Sequence, residues 1–238
     1  MKKIATNAYS VWARGLFIIC ILAVSGCTIP RPANTPVVYD FGPGALHTPP
    51  TTRIAHLPPL ELGTPQASMA LNSTAVLYRL GYADAQQLKP YTLARWSMPP
   101  AQLIGQRLRS QLGLHRAVVL PGEITVARPA RANASAPATT AGSIYPPSIL
   151  NLHLELEEFS QLFEAPDKSS GVLRLRATVT QRSAAGETLL AQRSFIVQQT
   201  AATSDASGGV RALTAATDQA IQEMAVWLVQ VGLAGKAP

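Results

Sequence analysis

The sequence predicts a single α/β domain in which a mixed, largely antiparallel β-sheet packs against two main helices. Between Leu150 and Gln199, three runs alternate apolar and polar side chains with a period of two, as strands with one buried and one wetter face do. From Val210 to Val231 the apolar residues instead recur at spacings of three and four, the stripe of a long amphipathic helix. A third observation is a shorter stripe, Ile104, Leu108 and Leu112, that supplies the other helix.

The chain opens with Lys2, Lys3 and Arg14, then an apolar run from Leu16 too short to span a bilayer comfortably, ending in Val24-Ser25-Gly26-Cys27. Charge, apolar core and small residues in that order read as a cleaved leader over residues 1–26, not as a transmembrane helix. The last four residues look like a bacterial lipobox. Ser25 and Gly26 let the chain lie extended in a peptidase groove, and the Cys27 thiol is the nucleophile that accepts a diacylglyceryl group. A chain so processed begins at Cys27, and three acyl chains there hold it in a membrane, each buried methylene contributing about 0.8 kcal/mol. Thr28 stands where lipoproteins kept at the inner membrane commonly carry Asp, so the expected location is the outer membrane, facing the periplasm. Cys20 leaves with the leader and Cys27 is consumed by lipid, so no disulfide and no cysteine-based metal or redox site is expected.

Removing residues 1–26 from 238 leaves 212, enough for one sizeable core. The formal charge of +7 falls to +4 once Lys2, Lys3 and Arg14 are gone. The remaining Arg and Lys are scattered singly, with no basic run interleaved with aromatics, which argues against a nucleic-acid partner.

Residues 27–36 are rich in Pro and short polar side chains and read as the lipidated N-terminus and a tether. The folded domain is expected over 37–232, with a tail at 233–238. Val37 to Phe41 is a first strand ended by Gly42-Pro43-Gly44, and Leu57 to Gly63 a second, held to an edge by Pro58 and Pro59. Ala75 to Leu80 and Tyr91 to Trp96 are β-rich and read as an antiparallel pair joined by the polar connector Ala83 to Pro90. Ser97-Met98-Pro99-Pro100 reads as a helix entry with Ser97 as cap, the helix ending at Gly113, and Val118 to Leu120 follows as a short strand. Residues 127–143 are mostly Ala, Pro, Thr, Ser and Asn, too poor in large apolar side chains to offset their ordering entropy, and are expected to be a disordered insertion.

Next come the strands. Leu150, Leu152, Leu154 and Leu156 alternate with Asn151, His153, Glu155 and Glu157, and Leu173, Leu175, Ala177 and Val179 alternate with Arg174, Arg176, Thr178 and Thr180. In the third run Leu189, Ala191, Phe195 and Val197 are expected on one face, interrupted by Arg193. Connectors at Pro166 to Gly171 and Ala184 to Glu187 make this an antiparallel meander, in which acids of one strand face arginines of the next.

Catalytic motifs are missing. His47, His56, His115 and His153 have no metal-ligand spacing, and there is no G-x-S-x-G, Walker A or G-x-G-x-x-G pattern. His153 near Glu155 reads as a surface pair. Glu157 and Glu158, adjacent on a strand, are expected on opposite faces. Ser207-Gly208-Gly209 reads as a helix-starting loop, with anion binding as the other reading. The chain is therefore expected not to be an enzyme and to need no cofactor or metal. Tyr78, Tyr82, Tyr91, Trp96 and Met98 concentrate before the first helix. They read as core or half-buried strand residues, or else as an apolar surface for a partner or a lipid tail.

Tyr78-Arg79-Leu80, Tyr82-Ala83-Asp84-Ala85-Gln86-Gln87-Leu88 and Tyr91, followed by Arg95-Trp96-Ser97-Met98-Pro99-Pro100 and Leu103, closely resemble the ABC-type transport auxiliary lipoprotein family, which includes the PqiC-like lipoproteins. Tyr39-Asp40-Phe41-Gly42-Pro43 is similar to that family's first strand. The resemblance covers nearly all of the mature chain and is most specific around Trp96. It implies an α/β domain on a lipid tether in the periplasm, working beside an MCE-type ABC transporter that moves lipids between inner and outer membranes. Expected partners are then an MCE-domain protein, the ABC components, the membrane through the N-terminal lipid, and phospholipid. The alternative is a structural or assembly lipoprotein of an outer-membrane complex that handles no lipid. The family supplies no catalytic residue, so Cys27 alone carries over with a chemical role.

Overall fold

In the computed structural model the described residues are 35–44, 57–123, 148–183 and 186–234. The expected leader 1–26, most of the tether, the insertion 127–143, His47, His56 and the last residues of the tail lie outside them. The strands are β1 (Val37–Tyr39), β2 (Leu60–Leu62), β3 (Gln66–Ala67), β4 (Ala75–Leu80), β5 (Ala85–Trp96), β6 (Val118–Val119), β7 (Ser148–Ala165), β8 (Lys168–Ser183) and β9 (Gly186–Thr200). The helices are a single turn, α1 (Gly81–Asp84), then α2 (Pro100–Gly113) and α3 (Ala206–Ala234).

The 18-residue strand β7 is the spine of the sheet. On one side β8 runs antiparallel to it along almost its whole length, and β9 antiparallel to β8, which is the expected meander. On its other side three separate short strands add in parallel: β2 at Leu150–Leu152, β3 at Glu155–Leu156 and β4 at Gln161–Phe163. Beyond β2 lies β6, and beyond β4 lie antiparallel β5 and then β1, parallel to β5. The nine-stranded sheet is mixed and does not close into a barrel.

Both main helices pack on one face. Leu152, Leu154, Leu156, Leu173, Leu175, Ala177 and Val179 turn toward them, and Leu103, Ile104, Leu108, Leu213, Ile221, Met224 and Leu228 meet them in one core. α3 covers β7, β8 and β9, while α2 lies against α3, β6 and β7. Arg107 of α2 joins the helices by a two-pronged pair with Asp218, its Nε donating at 2.7 Å and its Nη2 at 2.9 Å. That bond holds the Arg107 guanidinium more firmly protonated than usual. α3 comes unusually close to β8 at Gly171. A Cβ there would stand 2.6 Å from the Leu213 nitrogen and 2.7 Å from the Ala212 carbonyl carbon, so only hydrogen fits.

The structure departs from the sequence reading at particular places. The connector Ala83–Pro90 is instead the turn α1 and the first half of β5, with Lys89 and Pro90 paired to Tyr78 and Leu77. The turn after β7 is only Pro166-Asp167, because Lys168–Gly171 already pairs with β7. Ser97 does not cap α2: its N–H donates to Tyr39 O at 2.7 Å, and the cap position belongs to Pro99. Leu189 is 63% exposed, since a register shift after Val179 turns it opposite Thr180 and away from the helices. α3 runs on to Ala234, past the expected domain end at 232.

One irregularity reorganises β7. Register slips between Leu156, opposite Leu175, and Glu158, opposite Arg174, so Glu157 is an extra residue in a β-bulge. The core side therefore switches from the even residues up to Leu156 to the odd residues Phe159, Gln161 and Phe163. Glu157 and Glu158 end on the same, open face rather than on opposite faces. Glu157 pairs with Arg176 across the strand, and Glu158 with Arg79 of β4 at 2.9 Å.

Candidate functional site

The segment that carries the family resemblance, Tyr78 to Pro100, folds as β4, α1, β5 and the first turn of α2. Most of its distinctive side chains have a packing partner. Arg79 donates to both Glu158 oxygens and, through Nη1, to the carbonyls of Ala85 and Gln86, so one guanidinium fastens β4, β7 and the α1–β5 turn. Asp84 Oδ1 accepts the Gln86 N–H at 2.9 Å and fixes that turn. Pro100 supplies the first helical residue, where a missing N–H is harmless.

The five side chains singled out in the sequence separate into distinct environments. Trp96 is 2% exposed and lies in the core, its ring centroid 5.6 Å from both Phe41 and Phe159. Met98 is half-buried against the same core. Tyr82, on α1, is 50% exposed and points away from it. Only Tyr78 and Tyr91 come together, with ring centroids 4.6 Å apart and Phe163 set edge-on 6.0 Å from Tyr78. Cys27 lies outside the described residues.

The Tyr78–Tyr91 pair caps a buried polar chain. Tyr91 donates its O–H to Gln161 Oε1 at 2.9 Å, and Gln161 Nε2 donates to Ser169 Oγ at 2.8 Å. Gln161 is fully buried, and Ser169 nearly so. Burial, then the neighbouring Tyr78 and Asp205, pushes the Tyr91 phenol well above the ordinary tyrosine range, so it remains a donor at any physiological pH. Gly209, in the first turn of α3, makes the room: a Cβ on it would run into Gln161 Oε1. Just ahead, Asp205 Oδ1 accepts the Gly208 N–H at 2.7 Å and the Thr203 hydroxyl at 2.8 Å, which draws its carboxyl below the usual range. The N-terminus of α3 is thus occupied by the protein's own carboxylate, and the Ser207-Gly208-Gly209 loop is a packing device.

Around His153 and Arg176 the open face of the sheet is polar. Gln66, His153, Glu155, Arg176, Thr178 and Gln192 border a shallow depression of about 360 Å³. His153 meets not Glu155 but Glu187, Nε2 to Oε1 at 3.7 Å. Glu187 also accepts from Thr180 and Asn151, which hold its carboxyl below the usual range. Beside it Arg182 pairs with Glu61 at 3.2 Å. Among the described residues no group of His, Cys, Asp and Glu is placed to hold a metal ion. None of the helices described is long and apolar enough to cross a membrane.

Gln161 and Phe163 escape the sequence reading because the bulge at Glu157 reverses the face on which they sit, and Ser169 because it falls in the expected connector Pro166 to Gly171, which is already strand. Asp205 had a readable signal, an Asp three residues before a glycine at the head of an apolar stripe.

No family model and no curated protein matches the chain. Among solved structures, a Xanthomonas campestris protein assigned to the DUF330 family matches with a TM-score of 0.58 at 16% identity, over 84% of this chain and 98% of that one. An uncharacterized protein matches with a TM-score of 0.53 at 13% identity, over 82% of this chain and 99% of that one. At such identities the likeness is one of fold.

Proposed function

We propose that this protein is a lipid-anchored accessory component of an MCE-type ABC transport system, held in the outer membrane through Cys27 and facing the periplasm, where it supports lipid movement between the two membranes. The observation that carries the reading is the run Val24-Ser25-Gly26-Cys27 behind a charged, apolar leader, ahead of a domain whose fold is shared with a DUF330 protein. The resemblance of Tyr78 to Pro100 to the auxiliary lipoproteins supports the same reading. In this mechanism the protein positions rather than transforms: lipid fixes one end, the tether gives reach, and the rigid sheet docks on the MCE assembly or receives its cargo.

The test is recovery of an MCE protein from solubilised envelopes with wild type and with Cys27→Ser. Wild type recovers it and carries acyl mass on its N-terminus, whereas Cys27→Ser folds equally well yet loses function in the cell. Consistent failure of wild type to recover an MCE protein sinks the proposal. Recovery of an outer-membrane complex instead would favour the structural lipoprotein, and phospholipid in native mass spectra of the domain would extend docking to cargo handling.

A further inference from the structure

We infer that the end of the sheet where the chain enters the domain rests on the same lipid surface that holds Cys27, through Val38, Leu93 and Met69. The inference rests on the lipid-anchored reading above and says which face of the domain meets the bilayer.

Ala94 and Trp96 turn into the core, each 2% exposed, so the alternating Leu93 and Arg95 turn out. Val38, in the edge strand β1, pairs with Arg95, which puts it on the same outward face, whereas Val37 pairs with the inward Ala94 and lies on the other face. Leu93 is 47% exposed and Val38 64%. β4 begins in this neighbourhood: Ala75 is opposite Arg95, and Trp96 N–H donates to Thr74 O at 2.7 Å. The turn that leads into β4 carries Met69, 94% exposed. That turn is well held, because the N–H groups of Leu71 and Asn72 both donate to Ser68 O and the Leu71 side chain is buried. The other large exposed apolar residues described, Tyr82, Leu120, Leu189, Ile196 and Val226, are spread over α1, the end of β6, β9 and α3.

Chain length selects the occupant. Cys27 lies ten residues before Val37, so a fully extended tether spans at most about 35 Å and keeps this end of the domain close to the bilayer. Tethering raises the effective concentration of lipid at the patch, so even a small apolar surface is enough to set the orientation. Arg95 is exposed beside it, and the nearby Asp40 carboxylate already accepts the Gly42 N–H at 2.7 Å. A cation beside adaptable aliphatic and thioether side chains suits the boundary between headgroup and acyl chain.

The full lipidated chain is reconstituted in vesicles of phosphatidylethanolamine and phosphatidylglycerol with brominated acyl chains. An environment-sensitive fluorophore is carried on Val38→Cys or, for comparison, on Gln222→Cys at the exposed side of α3. The Val38 probe shifts to the blue and is quenched by bromine, the Gln222 probe does neither, and adding Met69→Glu and Leu93→Glu removes the quenching while the circular dichroism spectrum and vesicle binding are kept. A chain that fails to stay with the vesicles overturns the lipid-anchored reading and this inference with it. A chain that stays, with its Val38 probe quenched no more than the Gln222 probe, overturns this inference alone. So does a Val38 probe shielded only after an envelope protein is added.

Discussion

Replacing Gly171 with alanine tests how closely α3 is seated on the sheet. The new methyl would stand 2.6 Å from Leu213 N, 2.7 Å from Ala212 C and 3.0 Å from Ala212 Cβ, where unstrained carbon contacts lie at about 3.5–4.0 Å. The first two obstacles are helix backbone, so relief requires α3 to lift from β8 rather than a side chain to swing aside. Such a lift loosens Leu213, Met224 and Leu228, all fully buried. A radial gap of 0.5–1 Å forfeits about a quarter to a half of each contact's attraction. Overpacking ordinarily costs about 1–3 kcal/mol, and a rigid obstacle places this case near about 3 kcal/mol. For a chain of this size that lowers the melting temperature by about 6–12 °C. The assay is urea unfolding of the chain followed by circular dichroism, with Gly113→Ala alongside. Nothing lies within 4 Å of a Cβ on Gly113, so that variant should gain about 0.5–1 kcal/mol from a stiffer unfolded chain. A Gly171→Ala stability within about 0.5 kcal/mol of the parent would refute the close seating of α3, since surface changes alone produce effects of that size.

Tyr91→Phe should lower stability by about 1–2 kcal/mol, because Gln161 Oε1 is left buried without its donor; unchanged urea midpoints would show that the buried chain is not held by that hydroxyl. Arg107→Ala and Asp218→Ala should show a coupling of about 1 kcal/mol in a double-mutant cycle, their side chains being 15% and 33% exposed; additive losses would deny that the pair joins the helices. Asp205 and Glu187 both have carboxyls drawn below the ordinary range when folded, so their contribution is present above the unfolded carboxylate value of about 4 and is lost as pH falls through the lower folded values. Urea midpoints should therefore fall on the acid side, and Asp205→Asn should flatten that fall; an equal slope in the variant would remove Asp205 from the account.

The meander and α3 are legible because each expresses one local period over many residues. Leu173, Leu175, Ala177 and Val179 are buried as their alternation requires, and Leu213, Ala220, Ile221, Met224 and Leu228 form the buried stripe of α3. What local pattern cannot express is who pairs with β7. β2, β3 and β4 reach it from residues 60–80, and their parallel registers depend on contacts across the whole chain. The bulge at Glu157 is equally silent in the sequence, since one extra residue in an acidic pair leaves the apolar spacing readable on either side while exchanging the faces. The candidate site suffers from the same cause. Tyr78 and Tyr91 stand out as aromatics in β-rich segments, but Gln161, 70 residues beyond Tyr91, reads as a solvent-facing glutamine until the bulge is known. Trp96 stands out for its motif, and the structure gives it the work of holding Phe41 and Phe159 together.

Strand β1 also sets how the domain answers a mechanical load. It is an edge strand joined to β5 by three register pairs, Val37 to Tyr39, and the segment after it is pinned by Phe41 against Trp96 and Phe159. Tension arriving from the N-terminal side acts first on those few edge pairs, while β7, β8 and α3 bear none of it directly. Peeling β1 lengthens the segment ahead of it by about 3.3 Å for each residue released and stops at the aromatic clamp. The domain thus carries a short extensible segment on its N-terminal side, one that yields before the core does and re-zips when the pull is released.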